Sequence, residues 1–120
     1  MLYALDSGKI ITTIPYPKDY KRWRTKLSDE AHHLIIATLS EKIGDSEIQT
    51  SSWMPGKDWT NTPFAPIYDA CDSDYESAAM FFGLLVWEAF MHHSDHWGFG
   101  HCKLRDVPIA GITYFKITPK

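Results

Sequence analysis

Hydrophobic and polar positions alternate with different periods along this 120-residue chain, and one stretch breaks every period. From Ala78 to Met91 the residues are apolar almost without interruption, and Glu88 is the only charge. Nothing there alternates in steps of two, and a strand of that length would be unusual. A helix covered on several sides fits better. Ser73 and Glu76, three apart just upstream, read as a capping box that opens it. Asp74 and Glu76 suit the positive end of the helix dipole, and His92 and His93 suit the other end. Roughly 20 apolar residues are needed to cross a bilayer, so the run reads as a buried central helix near residues 74–93 and no membrane association is expected.

The remaining segments predict elements folded around it. Residues 2–5 and 9–14 read as two short strands joined by the turn chemistry of Asp6-Ser7-Gly8. Residues 17–27 read as a helix with Pro17 in its first turn and Tyr20, Trp23 and Leu27 facing inward. Ser28 is a good N-cap for a second helix, whose inward stripe is Ala31, Leu34, Ile35, Thr38, Leu39 and Ile43, with Gly44 as its stop. His32 and His33, about 100° apart on that helix, read as surface or boundary residues. Residues 47–53 read as a polar strand at an edge or lining a cleft. Thr62-Pro63 opens a short helix with Phe64, Ile67, Tyr68 and Cys71 on one face. Residues 97–104 and 109–117 read as a β-hairpin. The predicted order is ββααβααββ in a single domain over residues 1–120. The fold class is α+β, with a mainly antiparallel sheet of about five strands packed on the central helix. Both faces of the last strand carry apolar side chains, which leads to an expected homodimer.

Composition adds bounds. The net charge of −3 repels nucleic acid in bulk. Lys18, Lys21, Arg22, Arg24 and Lys26, interleaved with aromatics, form a local basic patch; a solvated helix face over core aromatics accounts for it, and nucleic-acid binding is not expected. The N-terminal residues lack the pattern of a signal peptide, and two cysteines read as free thiols of a cytoplasmic protein, although a Cys71–Cys102 bridge is compatible with the sequence. The aromatic share, 14%, is high, and such rings line ligand clefts as well as cores.

Three groups are candidates for chemistry. The segment from Trp53 to Asn61 contains Pro55-Gly56, has no periodicity, and carries Trp53, Lys57, Asp58, Trp59 and Asn61 as binding candidates; the competing reading is that its two tryptophans pin a loop to the core. His92, His93, His96, His101, Cys102 and Asp95 fall within eleven residues. Imidazole and thiolate ligate zinc, and His92, His96 and His101 are the best combination, provided the central helix runs on to residue 96. No His-Glu-x-x-His motif is present, and adjacent His101 and Cys102 on a strand would point oppositely. Glu88 is the third: desolvated, it would suit general acid or base work; paired or exposed, it is structural. The pairing or exposed reading is preferred.

No nucleophile elbow, phosphate loop or dinucleotide fingerprint occurs. The expectation is therefore a non-catalytic binding or interaction module for a small ligand or protein partner, with no cofactor. The alternative is a metal-dependent hydrolase or metal-binding protein using the residue 92–101 cluster.

Overall fold

A computed structural model of the chain describes residues 1–4, 8–43, 48–49, 62–99 and 113–117. The elements run β1 (Leu2–Ala4), α1 (Pro17–Thr25), α2 (Asp29–Lys42), β2 (Ile48–Gln49), α3 (Ala65–Ala70), α4 (Tyr75–His92), β3 (Trp97–Phe99) and β4 (Thr113–Lys116). The class is α+β.

The helix α4 forms because its first turn is capped and its apolar surface has somewhere to go on nearly every side. Asp74 is the N-cap: its carboxylate accepts from the Ser77 backbone N–H at 3.2 Å and from the Ser77 hydroxyl at 2.6 Å. The cap lies one residue after the expected Ser73, for a local reason. Asp72 and Ser73 both adopt left-handed backbone angles, φ 56° and 62°. The Ser73 N–H turns back to the Tyr68 carbonyl at 2.9 Å. Ser73 is thus used to close α3, and the next residue opens α4.

Ten residues of α4 are buried, and Phe81, Phe82, Leu84, Leu85, Val86 and Phe90 have no exposed surface. Phe82 meets Phe64 edge-on at 5.1 Å, next to α3. Trp23 of α1 packs on Phe81 at 5.7 Å, and Ile35 and Leu39 of α2 join the same core. On the sheet side Phe90 stacks flat on Tyr114, centroids 4.0 Å apart and planes 13° apart, and meets Trp97 at 5.1 Å.

The sheet corrects the expected one of five mainly antiparallel strands. Among the described residues it is small and mixed, in the order β1-β3-β4-β2, three strands of three or four residues with two-residue β2 at the edge. β1 runs parallel to β3, pairing Leu2 with Trp97; β3–β4 and β4–β2 are antiparallel. A parallel pair needs a long crossover, and here it contains all four helices of the described residues.

The missing strand is the one expected at residues 9–14. The hairpin begins: Gly8 has φ 69°, Tyr3 and Ile10 make an isolated antiparallel bridge, and the Ile11 N–H donates to the Leu2 carbonyl at 2.7 Å. It goes no further among the described residues: in the register set by the Tyr3–Ile10 bridge, Thr13 lies past the end of β1, and its carbonyl is used elsewhere. The Thr13 carbonyl accepts from Trp87 Nε1 of α4 at 3.2 Å, and the segment lies against the helix end instead of extending a ladder.

α1 ends at Thr25, two residues short of the expected helix; Trp23 and, just beyond the helix, Leu27 are buried and Tyr20 is half-buried. In α2 the stripe differs at one position: Leu34 is 55% exposed, while Ile35 and Leu39 are fully buried. Ser28 caps α2 by accepting from the Ala31 N–H at 3.1 Å.

Candidate functional site

A cleft of about 720 Å³ opens between the segment entering α1 and the last turn of α4. It is lined by Thr12, Thr13, Ile14, Pro15, Pro17, Tyr20, Met91 and His92. Its volume falls within the roughly 300–1,000 Å³ of small-molecule sites, and it is open to solvent, with Thr12, Thr13, Pro17 and His92 exposed. The Trp87–Thr13 bond holds one wall against α4. Pro15 and Pro17 stiffen that wall by fixing their own φ. Between them Tyr16 sits in the left-handed region, φ 53°, half-exposed.

Tyr20 connects the cleft to the one charge of α4. Its ring lines the cleft, and its hydroxyl donates to Glu88 Oε1 at 2.7 Å. The same oxygen lies 3.0 Å from His32 Nε2 of α2. Only 12% of the Glu88 side chain and 19% of the His32 side chain are exposed. One carboxylate oxygen therefore ties three helices together. Burial, then the bond to Glu88 and its negative charge, push the Tyr20 hydroxyl above its ordinary pKa. Arg24 opposes this shift.

Glu88 is thus paired, as preferred, but with a histidine and a tyrosine instead of an Arg or Lys. His32, which reads in sequence as a surface or boundary residue, is of intermediate burial and reaches inward to this carboxylate. Its signal was legible: it stands three and four positions before Ile35 and Ile36, on the stripe that continues to Leu39 and Ile43.

The histidine cluster is only partly within the described residues. α4 ends at His92, and His93 is already extended, φ −68° and ψ 145°. The helical i, i+4 pairing of His92 with His96 therefore does not form. His92 is exposed at the cleft rim. His96 Nδ1 lies 2.8 Å from the Tyr3 hydroxyl. His93 Nδ1 accepts from the Asp95 backbone N–H at 3.0 Å and faces Trp97 Nε1 at 3.4 Å, so it organises the turn between α4 and β3. Among the described residues no three His, Cys, Asp or Glu side chains are grouped to hold a metal ion. His101 and Cys102 lie outside those residues, as do Trp53, Lys57, Asp58, Trp59 and Asn61.

Cys71 is a buried free thiol. Burial, followed by the nearby Asp72 and Asp74, pushes its pKa up to about 12, the opposite of what a nucleophile requires. The basic face of α1 is partly neutralised. Arg22 pairs with Asp19 at 3.2 Å, Arg24 with Asp29 at 2.8 Å and Lys26 with Asp72 at 3.0 Å. Among the described residues no helix is long and apolar enough to cross a membrane.

Compared with protein-family models, curated proteins and solved structures, the chain matches none.

Proposed function

We propose that this protein is a non-catalytic binding module that takes a small ligand in the cleft between residues 12–20 and the end of α4. The cleft itself is the observation that carries the reading: a recess of ligand size, walled by Ile14, Pro15, Pro17, Tyr20 and Met91, on a buried helix. A rigid floor supports binding, because a preorganised site loses less entropy when occupied. The Tyr20–Glu88–His32 bonds and the Trp87–Thr13 bond supply that rigidity from below. The Trp53–Asn61 segment belongs to the same proposal as a second contact surface, and a homodimer as the assembly that would cover the sheet.

Thermal unfolding in the presence of a small-molecule collection tests it. A ligand at 100 times its Kd stabilises the folded state by about 2.7 kcal/mol, a readable shift in midpoint. Stabilisers should act on the wild-type chain and lose their effect in Ile14→Asp. Compounds that lose their effect in Trp59→Ala and retain it in Ile14→Asp would move the site to the loop. Equal stabilisation of all three proteins would overturn both locations.

A further inference from the structure

The lining of the cleft says more than that something binds there. Its eight residues include no carboxylate, ammonium or guanidinium group. Glu88 has one oxygen occupied by Tyr20 and His32, and Lys18, Asp19 and Arg24 stand on the same helix as Pro17 and Tyr20 without lining the cleft. Thr12 and Thr13 are exposed, and neither their hydroxyls nor the His92 imidazole hydrogen-bonds to a described residue. Most of the lining is apolar: two proline residues, one tyrosine, Ile14 and Met91.

We infer that the cleft takes an uncharged ring compound, its flat face on Tyr20, Pro15 and Pro17 and a hydroxyl or carbonyl edge turned to Thr12, Thr13 and His92. This deepens the proposed function and rests on it. The lining disfavours charged alternatives. An ion gives up part of its hydration against walls that offer it no charged partner, and an uncharged body does not. For a cation the carbonyl end of α4, which finishes at His92, offsets a small part of that cost. For an anion the same terminus is repulsive. The affinity order for bodies of similar size is therefore neutral, then cationic, then anionic. An aromatic face also gains from offset or edge contact with Tyr20, and sulfur–ring contact with Met91 adds to it.

Three fluorogenic dyes of different charge test this on the full chain: Nile red (uncharged), auramine O (cationic) and anilinonaphthalene sulfonate (anionic). Each is titrated against the wild type, Ile14→Asp and Thr12→Asp, with circular dichroism as the folding control. Thr12 is exposed at the rim, so Thr12→Asp adds a carboxylate without touching the core. Nile red should saturate at one equivalent and bind at least about tenfold tighter than the anionic dye, and both substitutions should weaken it by about tenfold. In Thr12→Asp the cationic dye should gain on Nile red. If a charged dye binds wild type most tightly and Ile14→Asp and Thr12→Asp still alter it, the ligand class is wrong and the cleft stands. If no dye saturates, or all bind folded Thr12→Asp as they bind wild type, both the ligand class and the cleft reading fall.

Discussion

Toward the sheet, α4 presents Trp87 and Phe90 to Phe99, Trp97 and Tyr114, all buried aromatics. Toward α1 and α2 it presents Phe81 beside Glu88, and the contact with Tyr20 is partly a ring contact at 6.0 Å and partly a hydrogen bond at 2.7 Å. The first face is held by ring packing alone; the second combines apolar packing on Trp23, Ile35 and Leu39 with bonds of fixed direction. Apolar packing tolerates small shifts in angle. A carboxylate shared between a tyrosine and a histidine does not, so α1 and α2 have one register against α4. The cleft lies on this second, directional side. A site built there inherits a fixed geometry, whereas the sheet side contributes chiefly stability.

The most severe test of that division is Phe90→Ala. Deleting a fully buried ring that stacks on Tyr114 and meets Trp97 should cost about 3–5 kcal/mol in denaturant unfolding. A loss below about 1 kcal/mol would mean the sheet side is not the main source of stability. Glu88→Ala should cost less, about 2–3 kcal/mol, because it leaves the Tyr20 hydroxyl and the His32 ring without their shared acceptor. Glu88→Gln retains an acceptor and should recover part of the loss. If Glu88→Ala and Tyr20→Phe prove additive in a double-mutant cycle, the bond between them contributes nothing and the contrast fails.

Alkaline pH probes the same two faces at once. The Tyr20 hydroxyl is raised above its ordinary pKa of 10.0, and so is that of Tyr114, in the latter case by burial alone. The native state holds these protons more tightly than the unfolded chain does. Their stabilisation is therefore fully present below pH 10 and is lost as pH rises from there toward the folded values. Stability measured from pH 8 upward should begin to fall beyond about pH 9, where the raised Cys71 thiol contributes, and fall more steeply beyond about pH 10, where the two tyrosines do. Tyr20→Phe should flatten that limb; an unchanged slope would disconnect the clamp from it.

The smallest expected effect has the opposite sign. The Tyr114 hydroxyl is fully buried and has no hydrogen-bond partner among the described residues. Tyr114→Phe retains the ring that stacks on Phe90 and removes the desolvated hydroxyl, so it should stabilise by about 1 kcal/mol in the same unfolding measurement. A loss of similar size would reveal a partner for that oxygen.

The α+β class, the four described helices and the burial of α4 were legible because each depends on residues near one another in the chain. Ser28 caps α2 from three residues away, and an apolar run of fourteen positions has few solutions other than a covered helix. The cap of α4 was misplaced by one residue because Ser73 is equally suited to capping and to the left-handed turn that closes α3. Which use prevails depends on Tyr68 offering its carbonyl at the right distance.

The sheet and the cleft were not legible in this way. Parallel pairing joins Leu2 with Trp97, 95 positions further along the chain, and no local pattern encodes a partner so distant. Residues 9–14 alternate like a strand, yet Trp87 takes the Thr13 carbonyl, a contact that exists only once α4 has been placed. His32 read as a boundary histidine until the carboxylate of Glu88 was brought beside it. Local periodicity and capping determine which segments are helices and which face is apolar, because propagation and burial act over one or two turns. Tertiary packing decided which polar groups meet, since hydrogen-bond partners are chosen by position in space and not by separation along the chain.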